Sequence, residues 1–324
     1  MLRVAIKGAG NWGKRLIGAV HGKSAKIAFT TAVTRNPSGR QDLSDGFGLK
    51  LTIDYAAVLA DPAIHAVVLA TPHSQHAAEI IAAAKAGKHV FAEKPFTLTR
   101  ADAEAALAAC EAAGVTLLVG FNRRFAPAYV EMSRRIAAGE IGSVRHIEGQ
   151  FSGPGSYQTA AGNWRSNQTE SPGGAMTARG VHVIDGMVAL AGPINNVFAN
   201  SLRQVHEIDV DDTTSCLLRF AKGATGYLGT LHAATPFYRL HVFGSNGALE
   251  MRGETELIAT DLAGKVERFT FDLADKERAV LEAFADAVAA SVKFPIPKAE
   301  IINTGAVTEA VAQSAKSGKA VAIA

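Results

Sequence analysis

A lysine lies between a carboxylate and a proline directly after a short apolar run of the chain. Val90–Ala92 has the composition of a buried strand in a parallel sheet, and Glu93-Lys94-Pro95 follows it. Pro95 restricts its own φ and favours an extended backbone at Lys94, so the ammonium is presented in one direction. Because open α/β sheets bind ligands at the carboxyl ends of their strands, Lys94 is a candidate catalytic group. An ordinary surface turn is the alternative interpretation.

A glycine motif near the start of the chain indicates a dinucleotide site. Leu2–Ile6 has a strand pattern, the glycines follow at once, and Lys14–Val20 is compatible with a helix. In this context the glycines allow a tight turn and bring the backbone close to a pyrophosphate, which the helix N-terminus then binds. The predicted cofactor contacts in this turn are Gly8, Gly10, Asn11, Trp12 and Gly13.

The end of the second predicted strand favours NADP over NAD. Ile27–Val33 is followed by Thr34 and Arg35, about 20 residues beyond the last glycine of the motif. NAD sites place an acidic residue at about this position, and none stands there. A hydroxyl followed by a guanidinium is the arrangement expected to accept a 2′-phosphate. NADP is therefore the expected cofactor, and NAD is possible.

The composition limits the classes of protein to which the chain can belong. The length of 324 residues suits about two domains, and the net charge of +3 is too small to indicate nucleic-acid binding. No apolar run is long enough for a membrane span, and the early first strand leaves no room for a signal peptide. Cys110 and Cys216 are expected to be reduced, buried thiols, and no Cys/His cluster indicates a metal. These features predict a cytoplasmic protein.

Strand and helix patterns alternate over the first 120 residues and then give way to short strands. The alternation predicts a Rossmann-type, doubly wound parallel sheet over residues 1–121. Residues 122–324 are predicted to form an α+β domain with a mainly antiparallel sheet. The face of that sheet that carries Tyr227 is expected to be the subunit interface of a homodimer or homotetramer. The predicted strands of this part are Ile147–Phe151, Thr213–Phe220, Thr225–Leu231, Arg239–Phe243, Ala248–Met251 and Lys265–Phe271.

The motifs of the first half occur in a family order and spacing. They are Gly8-x-Gly10-x-x-Gly13, Ala70-Thr71-Pro72 with His76, Glu93-Lys94-Pro95, and Asn122-Arg123-Arg124. The chain resembles the glucose-fructose oxidoreductase/inositol dehydrogenase/rhizopine catabolism family of NAD(P)-dependent oxidoreductases. The resemblance implies further cofactor contacts from Thr71, Pro72, His76, Glu93 and Lys94. A lone histidine on a helix, such as His76, is otherwise most often structural.

The resemblance also implies a second group of site residues. Family members typically carry a Gly-rich turn, then an Asp four residues before a His, with both facing the lysine across a cleft. His182 matches the histidine and Asp185 a second acidic position, but Ala178 stands where the Asp is usual. For His182 taken alone, the alternative interpretation is a buried, hydrogen-bonded helix histidine. The residues expected to shape the substrate pocket are Asn163, Arg165, Arg124 and His182.

The chemistry expected of these groups is proton transfer coupled to hydride transfer. A carbinol carbon gives up a hydride only if its hydroxyl proton also leaves. Lys94 can polarise or deprotonate that hydroxyl, and His182, with a reference pKa of about 6.5, can pass the proton on. Without a carboxylate at Ala178, either His182 is the base with Lys94 as its electrostatic partner, or water replaces the missing group.

The sequence therefore predicts an NADP-preferring dehydrogenase of a small sugar or cyclic polyol, with Lys94 and His182 as catalytic residues. The same enzyme could run towards reduction of a ketone or imine. A non-catalytic, NAD(P)-sensing regulator is the alternative class. Ala178 favours the regulator, whereas the intact Lys94 and His182 argue against it.

Overall fold

The computed structural model describes residues 1–159, 162–205 and 207–323, which form two compact units. The strands are β1 Leu2–Lys7, β2 Ile27–Val33, β3 Lys50–Thr52, β4 Ala66–Leu69, β5 His89–Ala92, β6 Leu117–Val119, β7 Val144–Ser152, β8 Ile194–Leu202, β9 Thr213–Phe220, β10 Thr225–Leu231, β11 Phe237–Gly244, β12 Gly247–Arg252, β13 Glu256–Asp261, β14 Val266–Thr270 and β15 Val321–Ala322. The α-helices are α1 Asn11–Val20, α2 Gln41–Phe47, α3 Tyr55–Ala60, α4 His76–Lys85, α5 Arg100–Ala113, α6 Pro127–Ala137, α7 Val181–Ala191, α8 Lys276–Ala289 and α9 Lys298–Ser317.

The first unit is built on the parallel sheet that the sequence predicts. Its strand order is β3-β2-β1-β4-β5-β6, which is that of a doubly wound Rossmann sheet. All four residues of β4 are buried, as expected for a central strand covered by helices on both faces. Parallel pairing of β1 with β4 and of β4 with β5 brings the carboxyl ends of these three strands to one edge of the sheet.

The first unit also contains Asp275–Lys298, which the predicted boundary placed in the second domain. The side chain of Phe284 on α8 is buried against Phe91 of β5, with ring centroids 5.9 Å apart. The Leu117 N–H donates to the Lys293 carbonyl at 2.8 Å, which joins this segment to the start of β6. These contacts link residues far apart in sequence, so no local pattern indicated them.

The second unit is organised around a mixed sheet that is mainly antiparallel, as predicted. Within the described residues the strand order is β14-β13-β12-β11-β7-β10-β9-β8-β15, and β7 pairs with β10 in parallel. Five of the six predicted strands lie inside observed strands, and Lys265–Phe271 overlaps β14. The prediction missed β8, β13 and the short β15. Asn195, Asn196 and Asn200 interrupt the apolar alternation of β8, which explains that omission.

One face of this sheet exposes large apolar side chains in adjacent strands. Phe198 pairs with Leu217, and Leu217 with Tyr227, across β8, β9 and β10. Their exposed fractions are 41%, 61% and 41%. No helix within the described part of the chain is both long and apolar enough to cross a membrane. The cytoplasmic location stays a prediction.

Candidate active site

The glycine motif forms the turn between β1 and α1, and the space around the backbone differs among its three glycines. Gly8 has φ of +95°, and a Cβ on it would lie 2.3 Å from the Ala70 carbonyl oxygen beside β4. A Cβ on Gly13 would lie 2.4 Å from the Gly8 carbonyl oxygen. Gly10 differs, because no described atom lies within 4 Å of its notional Cβ. Gly8 and Gly13 are required for packing, whereas Gly10 leaves open space beside the backbone.

That open space lies at the N-terminus of α1. Gly10 is the N-cap and gives the helix no side-chain cap, and its first turn holds no acidic residue. Uncapped N–H groups at a helix start favour an anion. Asn11 is exposed there, and Trp12 is half-buried with the Arg15 guanidinium 5.4 Å from its ring centroid. These features fit the pyrophosphate of a dinucleotide.

The end of β2 carries a guanidinium with no ionic partner. Arg35 is exposed and, among the described residues, forms neither an ion pair nor a side-chain hydrogen bond. Thr34 is half-buried, and its hydroxyl accepts the Asn36 N–H at 3.4 Å. Arg40 is engaged instead with Asp42, its Nε lying 3.2 Å from the carboxylate. Arg35 is therefore the cation at this strand end that is open to an added phosphate.

The end of β4 contains a buried polar network that the sequence did not predict. The Thr71 hydroxyl donates to the Glu79 carboxylate at 2.6 Å, and Lys7 pairs with that carboxylate at 2.7 Å. His76 has no exposed surface: Nδ1 lies 3.0 Å from the Pro95 carbonyl oxygen and Nε2 3.1 Å from that of Thr71. Burial lowers the pKa of His76.

The geometry of His76 favours a structural role over a direct cofactor contact, which stays a prediction. Both ring nitrogens face backbone carbonyls, so they are not available to a ligand. The histidine instead ties the end of β4 to the segment that carries Lys94 and Pro95. Pro72 lies between Thr71 and α4, and its contact with the cofactor stays a prediction.

The Lys94 segment follows β5 and is fixed by its neighbours. Glu93 is buried, and the Lys94 N–H donates to its carboxylate at 3.2 Å. Burial raises the pKa of Glu93. Gly120 leaves room for this carboxylate, because a Cβ there would lie 2.9 Å from one of its oxygens. The peptide bond before Pro95 is cis. Lys94 itself is partly exposed at the sheet edge that also holds the glycine turn.

In the second unit His182 follows an irregular turn of helix. Met176–Gly180 is π-helical and leads directly into α7. π-Helical turns are rare and occur frequently at functional sites. His182 is 6% exposed, and Ala178 lies within the turn, so no carboxylate occupies that position. The centroid of the His182 ring lies 6.2 Å from that of Phe151 at the end of β7.

Two guanidinium groups share the ring of Phe151 with His182. Arg123 and Arg179 have their guanidinium carbons 4.9 Å and 5.1 Å from its centroid. Arg123 forms an ion pair with Glu254. His232 lies close to Arg179, since both approach within 3.0 Å of the Cβ position of Gly155. We call the set of Arg123, Phe151, Arg179, His182 and His232 the Phe151 cluster. Of this set, the sequence motifs indicated His182 as a site residue, whereas no local pattern indicated Arg179 or His232.

Arg124 is held in a buried ionic network. Its Nε and Nη2 lie 2.9 Å and 2.6 Å from the Asp185 oxygens, and Nη2 lies 2.8 Å from Glu300. The Asp185 side chain is 1% exposed. Burial alone would lower the pKa of Arg124, but the charge of Asp185 and its hydrogen bonds raise it. Arg124 is thus engaged within the protein, and its predicted part in the substrate pocket stays a prediction.

The remaining predicted substrate residues lie on an exposed turn. The Asn163 side chain accepts the Arg165 N–H at 3.0 Å. The Arg165 guanidinium lies 4.0 Å from the centroid of the Trp164 ring. Asn163 and Arg165 are exposed, and their contact with a substrate stays a prediction. No cluster of metal-binding side chains is found in the described ranges.

Comparison with known proteins places the chain in a family. Residues 2–121 match the model of the oxidoreductase family with an NAD-binding Rossmann fold, and residues 129–250 match that of the GFO/IDH/MocA C-terminal domain. The chain is 28% identical to D-xylose 1-dehydrogenase (NADP(+)) 2 of Haloferax volcanii over 95% of both chains. It is 29% identical to myo-inositol 2-dehydrogenase of Thermotoga maritima over 81% of this chain and 79% of that one.

Solved structures agree with this assignment. An oxidoreductase from Desulfitobacterium hafniense superposes with a TM-score of 0.91 at 27% identity, over 99% of this chain and 97% of that one. Levoglucosan dehydrogenase with NADH and levoglucosan has the same fold, with a TM-score of 0.88 at 24% identity over 99% of both chains. The two family models together cover most of the sequence. The chain belongs to the GFO/IDH/MocA family of oxidoreductases.

Proposed function

We propose that the protein is an NADP-preferring dehydrogenase of a small polyhydroxylated substrate, with Lys94 and His182 as its catalytic residues. The observation that carries the proposal is the position of Lys94. It follows β5, at the edge of the sheet where the glycine turn fits a pyrophosphate. Ligands of doubly wound sheets bind at this edge.

Oxidation of a carbinol removes a hydride from carbon and a proton from oxygen, which leaves a carbonyl. When bound, the nicotinamide supplies the hydride acceptor, or the donor in the reverse direction. The Lys94 ammonium stabilises negative charge that develops on the substrate oxygen. His182 takes the hydroxyl proton onward, or returns it in reduction. With Ala178 before it, His182 has no carboxylate at that position to raise its basicity, so the lysine carries the larger electrostatic part.

The preference for NADP rests on Arg35 and Thr34. Arg35 is an exposed guanidinium at the strand end where the ribose is expected, and it forms no ion pair with the residues that the structure describes. The relative from Haloferax volcanii is named as NADP(+)-dependent, which agrees with this proposal. Sugars and cyclic polyols are the substrates named for the xylose and inositol dehydrogenases, and we propose the same class here.

We also propose that the protein is a homodimer or homotetramer. Phe198, Leu217 and Tyr227 form an exposed apolar row across three adjacent strands, rather than single scattered residues. A second copy of the same sheet face would cover it. Light scattering at micromolar concentration is expected to give a mass of at least two chains, and a single-chain mass would contradict this.

A screen of sugars and polyols with NADP⁺ tests the enzymatic proposal. Absorbance of the reduced cofactor is expected to rise with at least one substrate, more efficiently than with NAD⁺. Tight NADP binding without turnover of any sugar, polyol or ketone would favour a cofactor-sensing regulator, for which Ala178 is the motivating residue.

A further inference from the structure

The guanidinium of Arg179 is half-buried and has no counter-ion within the part of the chain that the structure describes. Its Nη1 lies 3.5 Å from the Ser152 carbonyl oxygen, and its Nε is buried without a hydrogen-bond partner. Among the described residues, no carboxylate pairs with it. Burial lowers the pKa of Arg179, and the charge of Arg123 lowers it further. A cation withdrawn from water without a partner is unfavourable, which indicates that a ligand supplies the negative charge.

The backbone beside Arg179 is shaped to accommodate it. A Cβ on Gly153 would lie 2.6 Å from the guanidinium, and one on Gly155 would lie 3.0 Å from it. The two glycines therefore let the planar group lie directly against the main chain. Phe151 supports it from the ring side at 5.1 Å. A guanidinium fixed in this way is preorganised for the two parallel hydrogen bonds of a carboxylate.

The charges of the Phe151 cluster favour a monoanion. Glu254 balances the charge of Arg123 through their ion pair. The charge of Arg179 is then the one left uncompensated, and one carboxylate balances it. A phosphate dianion would leave an excess of negative charge beside Phe151.

The position of His182 links this anion site to the reacting group. His182 and Arg179 both lie around Phe151, at centroid distances of 6.2 Å and 5.1 Å. Both groups therefore lie in contact range of one aromatic ring, which places the anion site and the imidazole beside the same surface. We propose that the substrate is a monoanionic sugar acid whose carboxylate binds Arg179 while one of its hydroxyls reacts. This inference rests on the proposed dehydrogenase function and narrows its substrate class.

Matched pairs of sugars test the inference. D-Glucuronate is compared with D-glucose, and D-galacturonate with D-galactose, in NADP⁺-dependent turnover and in calorimetric titration of the NADP-loaded protein. The variants are Arg179→Gln, which removes the charge, and Arg179→Lys, which keeps the charge without the fork. Arg203→Gln is the control, because Arg203 is an exposed arginine of the same unit paired with Asp209.

The wild type is expected to favour each acid over its neutral partner by at least about tenfold in kcat/KM and in affinity. Arg179→Gln should lose about 10- to 100-fold on the acids and little on the neutral sugars. The kcat/KM and affinity of Arg179→Lys for the acids should lie between those of the wild type and Arg179→Gln. Those of Arg203→Gln should match the wild type.

Equal binding of acids and neutral sugars by the wild type would overturn the inference, and so would equal losses on both in Arg179→Gln. Preference for glucose 6-phosphate over both would overturn the assignment to a monoanion. In these cases turnover of neutral sugars would leave the dehydrogenase proposal standing. Arg179-dependent binding of the acids without any turnover would overturn the dehydrogenase proposal and keep the anion site.

Discussion

Arg124 and Arg179 belong to the same unit and are both partly buried, yet the groups that surround them have opposite charge. Asp185 and Glu300 surround Arg124, and every strong hydrogen bond of its fork is made inside the protein. The guanidinium of Arg179 instead lies near the Phe151 ring, the Ser152 carbonyl oxygen at 3.5 Å and the charge of Arg123. A cation whose counter-ions fold with it cannot be removed without leaving a buried carboxylate unpaired, which is destabilising. A partly buried cation without a counter-ion is a candidate binding group. Its desolvation lowers the stability of the protein, and a bound anion would offset that loss.

The largest expected difference between substitutions of the two arginines is in the stability of the protein. Arg124→Met removes the partner of buried Asp185, so the free energy of unfolding should fall by about 3–5 kcal/mol. Arg179→Met removes an uncompensated cation, so the melting temperature should stay the same or rise. Arg134→Met, in an exposed pair with Glu131, serves as the control and should change the melting temperature little. Thermal unfolding measures all three.

The account of the two arginines would be wrong if the ranking were reversed. A protein destabilised more by Arg179→Met than by Arg124→Met would mean that Arg179 is structural.

Arg35 and Arg40 show the same contrast in the first unit. Substituting them is expected to have a smaller effect, which concerns the choice of cofactor. Arg35→Ala should weaken NADP binding by about 10- to 100-fold, because one charge-assisted phosphate contact is lost, and should leave NAD binding unchanged. Arg40 is already paired with Asp42, so Arg40→Ala is the matched control and should have little effect. Titration of both variants with both cofactors measures this. A wild type that binds NAD at least as tightly as NADP would contradict the assignment.

The smallest expected effect follows from giving the Phe151 cluster a carboxylate. Ala178→Asp places an acid one residue before Arg179 and four before His182. A nearby carboxylate favours the protonated imidazole and raises its pKa. If His182 acts as the base, activity then rises at higher pH, so the acidic limb of the rate–pH profile should move upwards. Ala178→Asn is the uncharged control, and an equal shift in both variants would argue against an electrostatic cause.

The predictable part of the protein is the part whose signals are local. Gly8, Gly10 and Gly13 follow a strand and precede a helix, and Lys94 follows another, so short stretches were enough to place them at one sheet edge. Arg179 was missed because its environment comes from Gly153, which lies 26 positions earlier and carries no motif. His76 was assigned to the cofactor because its contact with the Pro95 carbonyl depends on the fold rather than on spacing.

The central claim is that the protein is a dehydrogenase in which Lys94 acts in the transition state. Its most direct test is the single-turnover rate of NADP⁺ reduction by the true substrate, measured in the wild type, Lys94→Ala, His182→Ala and the double variant. Lys94→Ala should be slower by about 10²–10⁴ while its affinity for NADP changes little. The double variant should lose less than the product of the two single losses, because both groups handle one proton. A Lys94→Ala protein that reduces NADP⁺ at the full rate would contradict the account.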